Sequence, residues 1–462
     1  MHKVIINGKT EYTENGKLLS DLLISSGCSV NHICGGKGLC KKCEVTVNGK
    51  RELSCQYKIN SDIDVITDIT EEIHSDSGAN ETDATATKPC FALDIGTTTL
   101  ALALTDLDKK QIIKVITRNN PQCIFGADIM SRIEYCRKNG VSRLQQILIT
   151  EINSMINFFD VKADTLFVSG NTTMLHILFG VDCSSIGVAP YTPVFLDAKA
   201  VKAEELGIRG VLTIESLPSI AAFAGADIVA GLNYIKLPEP DKKSLLVDLG
   251  TNAEIVLFSR KSAVCTAAAA GPCFEGANIS CGMSATRGAV YAYSEYCTKT
   301  IEDAPPKGVC GTGLIDIVAH LLKKRILDET GYMENDFEIT EEVVLTRDDI
   351  RQYQLAKSAV CSAVLTLMKH QAVSIDDIEA LYISGGFSGK INIENAVITG
   401  LFPEGMRDKC IAINNSSLLG TVKYAFDEKQ LNEICTKAEY IDLSSDPSFS
   451  DFFINNIMFT DI

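Results

Sequence analysis

The sequence predicts a small α+β domain, a flexible linker and then a larger α/β region built from two lobes. Three observations predict this architecture. Residues 1–73 contain hairpin and helix signals, residues 74–88 contain no large apolar side chain, and from Phe91 onward short apolar strands alternate with helix-like stretches. Within this last region a glycine turn of one design occurs twice, which indicates two related lobes.

Length, composition and charge exclude several classes of protein. The chain has 462 residues, of which 46% are hydrophobic, and this is enough for several buried cores. Acidic residues outnumber basic ones by 59 to 43, and the resulting net charge of −16 would repel the phosphates of nucleic acids. No apolar run reaches the roughly 20 residues that span a bilayer, and the first residues lack a signal peptide. We therefore expect a cytoplasmic protein without a nucleic-acid or membrane partner.

Residues 1–73 carry the elements of a β-grasp domain in order. Asn7-Gly8 and Asn48-Gly49 each suit the tight turn of a two-residue hairpin. Leucines on one side predict a short helix over Leu18–Ser26, and Ile63–Ile66 is predicted to be a closing strand. Hairpin, helix, cysteine loop, hairpin and strand is the order expected of this fold.

Composition predicts the linker, and the repeated glycine turn predicts the two lobes. Residues 74–88 cannot bury enough apolar surface to offset the entropy of the chain, so a flexible linker is predicted. The first lobe is expected over residues 89–240 and the second over residues 241–462. Helices are predicted near Val141–Phe159 and Tyr353–Lys369.

Four cysteines of the N-terminal domain predict an iron–sulfur site. Disulfides are rare in a reducing cytosol, so crowded cysteines indicate metal or redox chemistry. The spacing Cys-x5-Cys-x2-Cys-x11-Cys matches the plant-type ferredoxin arrangement in outline, and intervening glycines can aim N–H groups at the sulfurs. A zinc site, which usually shows two Cys-x2-Cys pairs, and a metal-free loop are the alternatives. The predicted ligands of a 2Fe-2S cluster are Cys34, Cys40, Cys43 and Cys55.

Two glycine turns, each after an apolar strand, predict phosphate-binding loops. Asp94 and Asp248 precede these turns, and their carboxylates could hold Mg²⁺ directly or through water. The backbone N–H groups and side chains of the turns could donate to phosphate oxygens. Glu254 would point to the same side of a strand as Asn252 and is a candidate for orienting a water. The predicted phosphate contacts are Gly96, Thr97, Thr98, Thr99, Gly250, Thr251 and Asn252.

A third turn, Ser384–Gly389, follows another apolar strand. Its paired glycines would let a flat ring such as adenine lie against the backbone, with Gly385, Gly386 and Phe387 as the predicted contacts. Glycines at ordinary strand–helix turns are the alternative for each motif taken alone. Three such turns in this order predict a nucleotide site.

From Phe91 to about Tyr440 the chain resembles the superfamily of acetate and sugar kinases, heat-shock chaperone ATPases and actin. The three turns match its phosphate-1, phosphate-2 and adenosine motifs, and Val168–Met174 and Cys310–Leu314 look like its connecting segments. The resemblance implies an α/β two-lobed actin-like fold with ATP and Mg²⁺ as cofactors. It adds Gly170, Asn171 and Gly311 to the predicted nucleotide contacts.

Two further segments and the ferredoxin-like cysteine domain narrow the resemblance to the family of reductive activators of corrinoid proteins. The segments are Leu217–Asp227 and Gly271–Ala277. The resemblance implies an ATP-dependent enzyme that transfers one electron from the 2Fe-2S cluster to the inactive Co(II) corrinoid of a methyltransferase system. It also implies two partners, namely the corrinoid protein and a low-potential electron donor of ferredoxin or flavodoxin type. A homodimer is compatible with it. Larger members carry an extra domain where this chain has residues 74–88.

Other functions stay open at the level of sequence. A redox- and nucleotide-sensing regulator would bind ATP and deliver no electron. An ATP-driven activator of another low-potential enzyme would resemble the ATPase half, but such activators share one 4Fe-4S cluster between two subunits. A simple kinase would leave the cysteine domain without a purpose. Reduction of a corrinoid distinguishes the activator from the regulator.

Overall fold

The structure is a computed structural model. It describes residues 1–26, 28, 36, 38, 43–67, 79, 81–82, 85–126, 128–386, 388–427 and 438–459. Among the helices of these ranges, none combines the length and apolar character needed to cross a bilayer.

The N-terminal part contains one five-stranded sheet and one helix. Strands β1 to β5 are His2–Ile6, Lys9–Thr13, Glu44–Val47, Lys50–Leu53 and Ile63–Ile66, and helix α1 is Leu19–Ser25. The strand order is β2-β1-β5-β3-β4, with β5 parallel to β1 and both hairpins antiparallel. Leu19 and Leu23 of α1 are buried against Val4 and Val65 of the sheet. The predicted order of hairpin, helix, hairpin and strand is therefore present.

The next part is built on a six-stranded sheet of order β10-β11-β9-β6-β7-β8. Its strands β6 to β11 are Pro89–Ile95, Thr99–Asp106, Gln111–Asn119, Ala163–Gly170, Ala200–Lys202 and Val211–Ser216. Its helices α2 to α6 are Ile129–Asn139, Ser142–Phe158, Thr172–Leu178, Ala203–Leu206 and Ala226–Tyr234.

The C-terminal part is built on a second six-stranded sheet of order β21-β20-β12-β13-β14-β22, with a three-stranded sheet and a two-stranded sheet beside it. Strands β12 to β22 are Lys243–Leu249, Ala253–Phe258, Ala263–Ala268, Ala289–Ser294, Cys297–Thr300, Gly308–Val309, Phe337–Glu338, Val344–Leu345, Ile378–Ser384, Cys410–Ala412 and Glu439–Tyr440. Helices α7 to α11 are Gly311–Lys323, Arg347–His370, Ile393–Ile398, Ser416–Ala425 and Pro447–Asn455. Single turns of 3-10 helix include Pro121–Ile124 and Pro272–Glu275.

The two large sheets share one plan. In each, three consecutive strands run antiparallel, and later strands pair in parallel beside the first of the three: β9 beside β6, and β20 beside β12. The two predicted phosphate turns therefore lie at equivalent positions, at the ends of β6 and β12. Parallel pairing needs long connections, and helices fill them.

Two helices lie between the lobes. One face of helix α6, which precedes the second sheet in the sequence, packs beside Leu246, Val256 and Phe258 of that sheet, whereas its Ala226, Val229 and Ala230 belong to the core of the first lobe. Helix α10 follows the second sheet and packs on the first one. The two helices meet at Gly420, where an added Cβ would lie 1.7 Å from the carbonyl oxygen of Ala230. Only a glycine permits this close approach.

Candidate functional site

The first phosphate turn, between β6 and β7, is held by two asparagines. The Asn120 side chain donates to the Gly96 carbonyl at 2.8 Å, and its backbone N–H donates to the Thr98 carbonyl at 2.7 Å. Asn171, which caps α4, donates to the Thr97 hydroxyl oxygen at 3.1 Å. The turn is thus fixed in shape while Gly96, Thr97, Thr98 and Thr99 stay partly exposed.

Asp94, at the end of β6, lies at the junction of the lobes. Its carboxylate accepts hydrogen bonds from Asn415 Nδ2 at 2.9 Å and from Ser417 Oγ at 2.7 Å. Both donors stand at the start of α10, which belongs to the C-terminal half of the chain. Burial raises the pKa of Asp94, and these hydrogen bonds oppose the shift.

The second phosphate turn and the predicted adenosine turn lie side by side. Asp248, on β12, accepts a hydrogen bond from Ser384 Oγ at 3.3 Å. Gly385 follows β20 with a φ of +123°, and a Cβ there would lie 2.3 Å from the Leu249 carbonyl oxygen, so a side chain cannot be placed. An added Cβ at Gly386 would meet nothing within 4 Å, so this backbone is open to a ligand. Phe387 lies outside the described residues.

Carboxylates crowd the space between the two turns. Burial and then Asp94 raise the pKa of Asp248 to about 7, and burial and then Asp248 raise that of Asp227 to about 7. Glu254 pairs with Asp248 across β12 and β13, and burial, Asp227 and Asp248 raise its pKa well above the usual range. Within the described part of the chain, no three histidine, cysteine or acidic side chains form a ready metal site.

Glu275 joins the two phosphate turns and was missed by the sequence prediction. The Thr98 hydroxyl donates to its Oε1 at 3.1 Å, and the Thr251 hydroxyl donates to its Oε2. One carboxylate therefore contacts both lobes. The segment Gly271–Ala277 supported the family resemblance, but no local signal marked its glutamate as part of the site.

Arg132, on α2, is a second residue that the sequence prediction missed. Its side chain is fully buried, and it donates to the carbonyl oxygens of Gly126, at 3.0 Å, and Thr97 and to Gln122 Oε1 at 3.1 Å. None of the ion pairs found among the described residues includes it. Burial lowers its pKa to about 10, so it remains a cation behind the first phosphate turn.

Two further predicted contacts have clear positions. Gly170 ends β9 with a φ of +153°, and an added Cβ would lie 2.8 Å from the Ile95 carbonyl oxygen. Gly311 begins α7, where an added Cβ would lie 2.2 Å from the Phe274 carbonyl oxygen. Gly311 therefore supports the turn that carries Glu275.

A cleft of about 1080 Å³ opens beside the second phosphate turn. Phe125, Asp128 and Tyr191 line it from the first lobe, and Thr251 and Asn252 line it from the second. Its volume is at the upper end of the range found for small-molecule sites. The second phosphate turn is therefore part of the wall of this cleft.

Two of the four predicted cluster ligands come together. Cys43 and Cys55 are 3% and 4% exposed; the Cys55 backbone N–H donates to the Cys43 sulfur, and the two thiols are hydrogen-bonded to each other. The Gln56 amide donates to the Gly36 carbonyl at 2.7 Å and to Cys55 Sγ at 3.6 Å. A Cβ added at Gly36 would lie 3.9 Å from the Ile124 carbonyl oxygen, so Gly36 lies beside the first lobe. Cys34 and Cys40 lie outside the described residues.

Comparison with known families identifies the chain. Residues 90–239 match the RACo middle region, and residues 242–462 match the C-terminal domain of RACo, the ASKHA domain. The two matches together span about four fifths of the chain. The chain belongs to the RACo family. The prediction of the family is confirmed, and so is an actin-like ATPase fold for the C-terminal part.

Comparison with individual proteins agrees with this assignment. The corrinoid activation enzyme RamQ of Eubacterium limosum is 26% identical, with 96% of each chain covered. A reductase of the Co(II) methylated amine-specific corrinoid protein of Methanosarcina barkeri is 27% identical, over 79% of this chain and 76% of that one. Among solved structures, a reductive activator for corrinoid,iron-sulfur protein superposes with a TM-score of 0.73 at 26% identity, covering 99% of this RACo chain and 98% of the other.

Proposed function

We propose that this chain is an ATP-dependent activase that reduces the inactive Co(II) form of a corrinoid protein of a methyltransferase system to Co(I). The observation that carries the proposal is the meeting of two phosphate turns, one from each lobe, at the carboxylate of Glu275. Relatives named for corrinoid activation and for reduction of a Co(II) corrinoid protein support the choice of reaction.

The nucleotide residues have separate roles in this proposal. Asp94 and Asp248 would bind Mg²⁺, and the divalent charge would offset the repulsion that raises the pKa of Asp248. The hydroxyls and N–H groups of the two turns would bind phosphate, and the open backbone at Gly386 would contact adenine. Glu254, whose raised pKa favours the protonated form, would orient a water rather than take its proton.

Nucleotide binding can drive an unfavourable electron transfer only if it favours one conformation over another. One-electron transfer uphill by 100 mV costs about 2.3 kcal/mol. Two lobes that each supply a phosphate turn form a suitable two-state element, because closure brings both sets of donors to one triphosphate.

The cysteine loop would hold the redox cofactor. Cys43 and Cys55 place two buried sulfurs side by side, which fits the thiolate donors of a 2Fe-2S cluster, and Cys34 and Cys40 complete the proposed ligand set. When bound, such a cluster would supply the one electron that the reduction of Co(II) requires. The strand order β2-β1-β5-β3-β4 supports a ferredoxin-like β-grasp fold for this domain.

The proposed partners are the corrinoid protein and a low-potential ferredoxin or flavodoxin. A net charge of −16 disfavours nucleic acid, and we propose that the enzyme acts in the cytoplasm. The homodimer stays a prediction.

The test is reduction of a corrinoid under anaerobic conditions. Purified protein is mixed with a panel of corrinoid proteins in the Co(II) state and a low-potential reductant, and visible spectra are followed with and without Mg-ATP. We expect ATP-dependent formation of Co(I), abolished by Cys43→Ser and retained by Cys297→Ser, which changes an exposed cysteine outside the predicted ligand set. If a protein with bound cluster and ATP reduces no corrinoid, the regulator is favoured instead.

A further inference from the structure

Glu275 uses the hydrogen-bond donors that a bound triphosphate would need. The hydroxyls of Thr98 and Thr251 belong to the two phosphate turns, and both donate to this one carboxylate. A hydroxyl carries a single proton and can donate only one hydrogen bond at a time. Glu275 and phosphate oxygens therefore compete for the same two donors.

Glu275 is surrounded by groups with opposing effects on its charge. Burial raises the pKa of Glu275, and this shift is opposed by the hydrogen bonds from Thr251 and Thr98 and by the positive charge of Arg132, which lies fully buried behind the first turn. Asp248 and Glu254 differ from Glu275, because burial and also neighbouring carboxylates raise their pKa values. The two threonine hydroxyls and Arg132 are therefore the groups that favour a negative charge on Glu275.

We propose that Glu275 is an internal anion that joins the two phosphate turns and competes with the triphosphate of ATP for the hydroxyls of Thr98 and Thr251. This inference rests on the proposed ATP site. ATP binding would displace Glu275 and shift the 3-10 turn Pro272–Glu275 that carries it. Because Gly276–Ser280 line the cleft, the displacement would reshape one wall of the cleft.

The proposal is tested with Glu275→Gln, which keeps the size of the side chain and removes its charge. Isothermal titration calorimetry with Mg²⁺ present measures the Kd values of ATP and of adenosine. We expect the variant to bind ATP at least fivefold more tightly than the wild type, and to bind adenosine equally well because adenosine carries no phosphate. Glu205→Gln removes the same charge from an exposed site on α5 and should change neither Kd.

An unchanged or weakened affinity for ATP in Glu275→Gln would overturn the proposal. If the wild type binds adenosine but neither variant changes the Kd of ATP, the proposed nucleotide site is retained and the proposed competition between Glu275 and the triphosphate is rejected. Hydrogen exchange of the wild-type protein gives a second measurement that needs no variant. ATP should increase exchange at residues 273–277 and adenosine should not, whereas protection of these amides by ATP would contradict the displacement.

Discussion

Asp94, Asp248 and Glu275 illustrate what sequence reasoning can find at the scale of single residues. The two aspartates precede glycine turns at strand ends, so local pattern alone predicts them. Glu275 is 177 positions from Thr98, its partner in the first turn. Arg132 sits in an amphipathic helix, where a buried arginine has the same local signature as an exposed one. The sequence pattern therefore predicted the two glycine turns. Glu275, which bridges them, and Arg132, which lies behind the first turn, were found only in the folded structure.

The raised pKa of Asp248 gives a prediction about stability. Burial and Asp94 raise it to about 7 in the folded protein, against 3.8 ordinarily, so between these values the folded state holds a proton that the unfolded state has lost. The wild type should lose stability as pH rises from about 4 to 7. Asp248→Asn removes this dependence, so its gain in stability over the wild type should be larger at pH 8 than at pH 5 by about 2–3 kcal/mol.

Urea unfolding at pH 5 and pH 8 measures the difference. Asp108→Asn, at an exposed aspartate, serves as the control and should shift stability equally at both pH values. A stability gain for Asp248→Asn that is the same at both pH values would contradict the predicted ionisation. The same variant should bind Mg-ATP poorly, because it lacks a carboxylate proposed for the metal.

At the scale of elements, local pattern predicted several helices and strands but not which elements pack together. The helices expected near Val141–Phe159 and Tyr353–Lys369 are confirmed as Ser142–Phe158 and Arg347–His370. Short apolar runs that end in glycine turns also predicted the central strands. The packing of α10 on the first sheet, and of α6 between the two sheets, could not be predicted, because an apolar helix face does not determine which sheet it covers.

The crossing of α6 and α10 predicts a steric effect at one glycine. In Gly420→Ala, the added Cβ would lie 1.7 Å from the Ala230 carbonyl oxygen, so the helices must separate. We expect a loss of about 3 kcal/mol in the free energy of unfolding. Gly386→Ala is the matched control, since a Cβ there meets nothing within 4 Å, and it should cost much less stability. Equal losses for the two variants, measured by urea unfolding, would show that the helix contact does not limit stability.

At the scale of the whole molecule, the two lobes should respond to ATP together. Each supplies one phosphate turn, so bound ATP adds contacts to both. A ligand at about 100 times its Kd stabilises a protein by about 2.7 kcal/mol. Differential scanning calorimetry should therefore show higher unfolding temperatures for both lobes with Mg-ATP. A shift confined to one lobe would contradict a site shared between them.

The two helices between the lobes also mean that neither half of the chain can complete its own core. A cut in the exposed loop at Glu239–Lys242 would separate one face of α6 from the second sheet and would separate the first sheet from α10. Each fragment alone would present an apolar surface shaped for the other. Two separately produced fragments should thus restore the protein by complementation, and their reassembly could report on any event that brings them together.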